Sequence, residues 1–270
     1  MSVTRQERRR RERQAYKNKR KQQEETYELP LQLLQPWSTP ILKTILPPKV
    51  LQTMIEISDT MVADKEAKSW GHNLAGQIER ELIIDHDILH QTGVMEFFLG
   101  SVREYVIQCK CQSVPFEREA IRKEEWLTQM LSMWIISQQP GEYNPAHVHT
   151  QCEISTVMYL RVPEILPSRK IHRQSDDGSI CFISPASRDL TLSNPQLTIF
   201  PEVGDFYIFG AQQQHLVYPY RCKEGQEEVE RRSISFNAIF TSRTAYDVQQ
   251  AKSKEEQELN FKESQGKGRI

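Results

Sequence analysis

The stretch of this chain best equipped for chemistry is Gly141-Glu-Tyr-Asn-Pro-Ala-His147-Val-His149-Thr-Gln-Cys-Glu153. On an extended strand, side chains two residues apart leave from the same face. His147 and His149 would then project side by side, and two imidazoles so placed make a bidentate site for a divalent metal. Pro145 cannot join an interior ladder, so the strand is predicted to start near His147. A third imidazole comes from the segment Phe200 to Pro219. There Gly204-Asp205 reads as a turn, Phe206 to Phe209 as a strand, and His215 as the opening of the next strand. A closed antiparallel barrel makes neighbours of strands distant in sequence. His215 can then complete a facial triad that leaves three coordination positions open. Glu153 is a further candidate ligand, sharing strand parity with His149. On a straight strand it would sit about 13 Å away, so a bend at Thr150–Cys152 is required.

A second polar group calls for a ligand. In Arg231-Arg-Ser-Ile-Ser-Phe-Asn237, alternation sends Arg231, Ser233, Ser235 and Asn237 to one face and Ile234 and Phe236 to the other. A polar stripe lining a barrel would cost several kcal/mol if unpaired, and an anion would relieve it. An arginine fork suits a carboxylate, with a serine hydroxyl assisting. Arg231 and Ser233 are the candidates for this contact, with Arg232 replacing Arg231 if the register differs. Tyr143, Tyr159 and Tyr207 either touch a co-substrate or fill the core. The remaining histidines, His72, His86, His90 and His172, lie in polar helical or loop contexts and read as surface groups.

These residues need elements to hold them. Residues 1–28 form a charged arm, with RQERRRRERQAYKNKR over 5–20, that lacks apolar periodicity. It reads as a disordered tail whose partner, if it has one, is acidic or a nucleic acid, bound through residues 5–21. Residues 29–125 are read as mainly helical support. Prolines punctuate 29–48, with an edge strand between Trp37 and Leu46. Helical faces are predicted over 49–64 and 93–112, with loops around 65–92. Residues 126–245 change character. Trp126–Ser137, Ile154–Val162, Leu197–Phe200, Asp205–Phe209, His215–Tyr218 and Ser233–Phe240 read as strands, separated by turns at Pro140-Gly141, Asp176-Asp177-Gly178 and Val203-Gly204-Asp205. Short strands with regular turns predict a sandwich or barrel with helices on one outer face, hence a mainly β, α+β fold. Residues 246–270 read as a flexible tail.

Composition agrees with one sizeable domain. The chain has 270 residues, 38% hydrophobic and 26% charged, with a net charge of −1. That balance gives no global pull toward nucleic acid or membrane. Five cysteines without CxxC spacing argue against a disulfide framework or a zinc ribbon, and point to a reducing cytoplasm. No run approaches the ~18 apolar residues of a transmembrane helix, so no membrane partner is expected.

Taken together, these motifs resemble the iron(II)- and 2-oxoglutarate-dependent oxygenases, and more narrowly an oxygenase family common in tailed phages of marine cyanobacteria. The resemblance rests on Asn144-x-x-His147-x-His149, Ser155-x-Val-x-Tyr-Leu160, Pro201-x-x-Gly-Asp205, His215 with Pro219, and Arg231-x-Ser-Ile-Ser-Phe-Asn237, with a weaker match at Trp37-Ser-Thr-Pro40. It implies a double-stranded β-helix of the jelly-roll or cupin-like kind, with iron(II) as cofactor and 2-oxoglutarate as co-substrate. The far carboxylate of 2-oxoglutarate would then pair with Arg231, assisted by Ser233. It also implies a dioxygenase that hydroxylates a protein side chain or small molecule in prolyl-hydroxylase-like fashion, in the cytoplasm of a host if the gene is phage-borne. The chain departs from the superfamily at one ligand, carrying His149 where a carboxylate is usual. Two other readings compete. Gly141-x5-His-x-His-x3-Glu153 with Pro201-x-x-Gly and His215 also resembles the paired metal motifs of cupins, which use no 2-oxoglutarate. The basic arm with a barrel also fits a non-catalytic virion or nucleic-acid-associated protein.

Overall fold

The computed structural model describes residues 40–168, 175–184 and 195–266. The basic arm, Trp37 and His172 lie outside these residues, so the contact expected through residues 5–21 lies outside them too.

Among the described residues, ten strands form two facing sheets. They are β1 (Ile41–Ile45), β2 (Arg80–Ile84), β3 (Trp126–Gln138), β4 (Asn144–His147), β5 (Ile154–Arg161), β6 (Ile180–Ile183), β7 (Gln196–Ile199), β8 (Asp205–Gly210), β9 (His215–Val217) and β10 (Arg231–Ser242). The major sheet runs in the order β1-β8-β5-β10-β3-β2 and the minor one β4-β9-β6-β7. All registered pairs are antiparallel. This is the double-stranded β-helix. From β3 onward the chain passes back and forth between the sheets, with β6 and β7 staying together in the minor one, so residues far apart in the chain face one another across a common interior.

Helices cover one face of the major sheet. They are α1 (Pro48–Ala63), α2 (His86–Gln91), α3 (Met95–Ser113) and α4 (Arg118–Lys123), with α5 (Arg243–Gly266) following β10. α1 starts at a proline, whose fixed φ suits the first helical position and whose missing N–H would be unpaired there anyway. It buries Met54 and Ile57, and α3 buries Phe98, Val102 and Val106. These meet Leu82, Met133, Ile135, Met158, Phe206, Ile208, Ile234 and Phe236 from the sheet in the main core. The sheet residues recur at every second position of β3, β5, β8 and β10, the period that a one-sided burial demands.

Three sequence expectations are corrected. The region 65–92 is not loop alone. It contains β2 and α2, the latter capped by the Asp85 side chain, which accepts a hydrogen bond from the Asp87 N–H. The first half therefore contributes both edge strands of the major sheet, β1 and β2, as well as helices. The segment expected to fray after residue 246 is helical to Gly266, being rich in the helix formers Ala, Lys, Glu and Gln; its side chains are exposed from Thr244 to Gln257. The strand carrying the first histidine also starts earlier than predicted. β4 begins at Asn144 and includes Pro145, which is tolerated because β4 is an edge strand with a register shift between Asn144 and His147. Among the described residues, no helix is long and apolar enough to cross a membrane.

Candidate active site

The imidazoles of His147, His149 and His215 converge. One ligand atom from each lies within 4.8 Å of the others. Cross-strand pairing does most of this: His147 on β4 stands directly opposite His215 on β9, with ring centroids 4.3 Å apart. His149 joins from a different direction than strand parity predicts. β4 ends at His147, and the backbone then turns, with the His149 N–H donating to Ala211 O at 2.9 Å. Its ring stacks parallel to His215 at 5.3 Å and rests against Trp134 at 6.1 Å.

The tautomers follow from hydrogen bonds. A carbonyl can only accept, so His147 Nδ1 must donate to Pro145 O at 2.7 Å and His215 Nδ1 to Gln213 O at 2.9 Å. Each ring then holds its proton on Nδ1 and offers the lone pair of Nε2, the arrangement that fixes metal-ligating histidines. Burial opposes a charge on all three: His215 is pushed down to about 3, His149 to about 4, and His147 is lowered too. At neutral pH the trio is unprotonated and a metal displaces no proton from it. Nitrogens at about 2.1 Å from one ion in a facial set are about 3.0 Å apart, so ligand atoms within 4.8 Å of one another close by at most about 1.8 Å to share it. A set of three neutral nitrogens fits a divalent first-row metal.

Glu153 is not brought to the imidazoles. The chain does bend near Thr150–Cys152, with Gln151 at φ 60°, but the bend carries Glu153 outward. The residue is exposed, and its carboxylate accepts the Phe240 N–H at 2.8 Å.

The histidines open into a cavity of about 450 Å3 between the sheets, within the ~300–1,000 Å3 typical of small-molecule sites. The stripe Arg231, Ser233, Ser235 and Asn237 lines it, as alternation predicts, along with Tyr159, Gln138, Trp134 and Glu81. Arg231 is 2% exposed. Its guanidinium donates to Gly178 O and Gln138 Oε1 and lies 5.5 Å from the Tyr220 ring centre, but its Nε has no partner. Among the described residues, no carboxylate pairs with it. Gly178 can present that carbonyl because it sits at φ 71° in the Asp176-Asp177-Gly178 turn, where a Cβ would lie 2.2 Å from Ile165 Cδ1. Tyr159 is also fully buried with an unpartnered hydroxyl. A register shift between Arg232 and Ser233 places Ser233 directly opposite Tyr159. A buried cation without a counter-ion costs several kcal/mol. A carboxylate would satisfy the free Nε–H and the free phenol, with the Ser233 hydroxyl beside the latter in register.

Arg232 does not face this cavity. It leaves β10 on the helix side, donating to Glu230 Oε1 at 2.8 Å and Oε2 at 2.5 Å and pairing with Asp59 of α1. Tyr207 is likewise engaged, donating to Asp205 Oδ2 at 2.8 Å, and Tyr143 is 41% exposed. Of the other histidines, His72 and His90 are exposed and His86 half-buried. Sequence reasoning missed Glu81, Gln138 and Gly178. Only the alternation of Arg80-Glu-Leu-Ile-Ile84 hinted at the first, since it places Glu81 and Leu82 on opposite faces.

Residues 132–237 match the family model described as "Putative 2OG-Fe(II) oxygenase". The matched segment spans the histidine trio and the polar stripe of β10. No curated protein matches the chain. Among solved structures, the chain is similar to a Pseudomonas putida prolyl-4-hydroxylase, at 15% identity and a TM-score of 0.42, covering 74% of this chain and 93% of that one. It is similar also to a viral collagen prolyl hydroxylase from Paramecium Bursaria Chlorella virus-1 with 2-oxoglutarate, at 13% identity and a TM-score of 0.37, covering 73% and 94%. A third is HygX from Streptomyces hygroscopicus with nickel, 2-oxoglutarate and hygromycin B, at 10% identity and a TM-score of 0.44, covering 74% and 83%.

Proposed function

We propose that this chain is an iron(II)- and 2-oxoglutarate-dependent oxygenase that hydroxylates an aliphatic carbon of an organic substrate. His147, His149 and His215 would hold the iron, and Arg231, Tyr159 and Ser233 would hold the far carboxylate of 2-oxoglutarate. The observation that carries the reading is a single cavity with two complementary walls. One wall gathers three neutral nitrogen ligands, and another presents a buried guanidinium that no carboxylate of the described residues meets. A dicarboxylate that also chelates a metal answers both.

Bound iron with 2-oxoglutarate supplies the power to oxidise an unactivated C–H bond. The rest is the work of side chains. Arg231 fixes the co-substrate through charge, and the Tyr159 hydroxyl orients it by donating a hydrogen bond. Trp134 braces the His149 ring, while Gln213 and Pro145 carbonyls hold the other two imidazoles in the ligating tautomer. Phe182 and Phe209 pack on His215 and keep water from that side. Three neutral imidazoles, with no carboxylate among them, would leave the charge of a bound divalent ion uncompensated for an anionic co-substrate to meet. The prolyl-hydroxylase-like version of this reaction uses the same residues and differs only in the carbon attacked.

The cupin-like alternative needs Glu153 at the metal. Its engagement with the Phe240 N–H favours the oxygenase. Anaerobic addition of ferrous iron and 2-oxoglutarate is the deciding test. A weak visible charge-transfer band should develop only when both are present. Iron binding without that band, and with no affinity for 2-oxoglutarate, would return the site to the cupin-like reading.

A further inference from the structure

One polar group of the cavity has no part in holding metal or co-substrate. Glu81, on β2, is 2% exposed, and its Oε2 makes no hydrogen bond. Register puts Glu81 opposite Ile136 on β3 and Ile136 opposite Ser233 on β10, so the three form one row across the inner face of the major sheet. At about 4.8 Å per strand, Glu81 stands about 10 Å along that row from Ser233. It therefore occupies the end of the cavity away from the Arg231 side.

The surroundings leave the carboxyl open to a ligand. Trp70, Asn73, Leu74 and Asn144 line the same end. The Trp70 N–H donates to Glu81 O at 2.8 Å, which ties this segment over β2. A Cβ at Gly76 would fall 2.8 Å from Glu81 Oε1 and 2.5 Å from Asn144 Oδ1, so any larger residue there would crowd the carboxyl. Among the described residues, no lysine, arginine or histidine forms an ion pair with Glu81. The charge that acts on it is another carboxylate, Glu142, already committed to the Glu79 and Gln139 N–H groups at 2.9 and 2.6 Å. Burial, and then repulsion from Glu142, raise the Glu81 carboxyl to about 7. Besides Glu81, the titratable groups lining the cavity are Arg231 and Tyr159 at the far end, the Cys152 thiol and the three imidazoles.

A buried carboxyl with an unpaired oxygen destabilises the fold unless a ligand completes it. We propose that Glu81 is the substrate-recognition carboxyl of this cavity, and that the primary substrate carries a cationic nitrogen, an ammonium or guanidinium group, which pairs with Glu81 beside the Trp70 ring. The proposal rests on the oxygenase reading for what is then done to that substrate. It also gives the cavity a division of charge. The dianionic co-substrate is drawn to Arg231 and repelled from Glu81, while a cationic substrate is drawn the other way, so neither blocks the other's place.

The test is calorimetric titration of the full chain, anaerobic and loaded with ferrous iron and 2-oxoglutarate. The probes are arginine amide and lysine amide, with the uncharged isosteres citrulline amide and norleucine amide as controls. At least one cationic probe should bind about 10-fold or more tighter than its isostere. Its binding at pH 7 should release protons, read from heats in buffers of different ionisation enthalpy, because the ion pair favours the carboxylate. Glu81→Gln should abolish both the preference and the proton release without weakening 2-oxoglutarate binding. Glu81→Asp should retain a weakened preference. Overturning results are no binding by either cation, equal binding by the isosteres, or a preference that survives in Glu81→Gln. Repeating the titration without iron and 2-oxoglutarate reads Glu81 alone. A failure of the oxygenase reading would then appear as lost 2-oxoglutarate binding in the native chain, with the cation preference intact.

Discussion

Arg231 and Arg232 are adjacent on β10, equally buried, and opposite in circumstance. Arg232 points to the helix face, where Asp59 and Glu230 surround it and Asp59 also pairs with Arg161 at 2.6 Å. Its charge is answered within the fold. Arg231 points into the space between the sheets, meets only neutral oxygens and an aromatic ring, and keeps an unpaired Nε. Its charge is left for something that enters. The same division runs across the whole major sheet. The helix-facing side is an apolar core closed by α1 and α3, and the inner side carries nearly every buried polar atom that lacks a partner. Stability and binding are thus assigned to opposite faces of the same strands.

The sharpest way to break this division is at the metal trio. His215→Ala should abolish stoichiometric binding of ferrous iron with little loss of helical and β signal in circular dichroism; unchanged iron content would remove the triad. Next, the two arginines should separate cleanly. Arg231→Ala should weaken 2-oxoglutarate roughly 30- to 1000-fold, as expected for losing a charged contact worth ~2–4 kcal/mol, while metal binding persists. Arg232→Ala should leave 2-oxoglutarate affinity alone and lower the melting temperature, since it leaves Glu230 and Asp59 without their cation. Equal effects of the two on affinity would dissolve the contrast.

Protonation offers a third comparison. Burial depresses the imidazoles, so the unfolded chain takes up protons that the folded one refuses. Their contribution to stability is present above the ordinary histidine value near 6.5 and is lost as pH falls toward the folded values of about 4 and 3. The metal-free protein should destabilise over that window, at up to about 1.4 kcal/mol per pH unit for each such group, and iron should resist the loss at its upper end. Glu81 behaves in the opposite sense. Its raised value means that the folded form prefers the protonated acid and loses stability as pH rises from about 4.5 through about 7. Glu81→Gln should therefore make the ligand-free protein more stable at pH 8 than the native chain, by an amount of the order of 1–3 kcal/mol in denaturant unfolding. A less stable variant at that pH would mean that Glu81 has a partner inside the fold. The smallest effect belongs to Tyr159→Phe, which removes one hydroxyl and should cost 2-oxoglutarate only a few-fold in affinity, about 1 kcal/mol.

Much of this architecture was legible from local pattern. Alternation along Arg231 to Asn237 placed the polar stripe on one face and Ile234 with Phe236 on the other, because a pleated strand allows no other division. The amphipathic periods of α1 and α3 were legible for the same reason. β2 was not, since five residues carrying both Glu81 and Leu82 become a strand only by pairing with β3. Nor did the sequence show that Arg231 and Arg232 differ, beyond a parity that one register slip would reverse.

The histidines mark the boundary most clearly. Residue types alone determined that this chain holds imidazoles able to bind a metal, and alternation determined which strand positions share a face. Tertiary structure decided that His147 meets His215 across a strand pair 68 positions apart, that His149 arrives from the turn after β4, and that Glu153 is carried away to Phe240. The physical reason is that side-chain direction follows from the backbone period of one element. Convergence depends on where two sheets close, and on which buried charges that closure leaves without a partner.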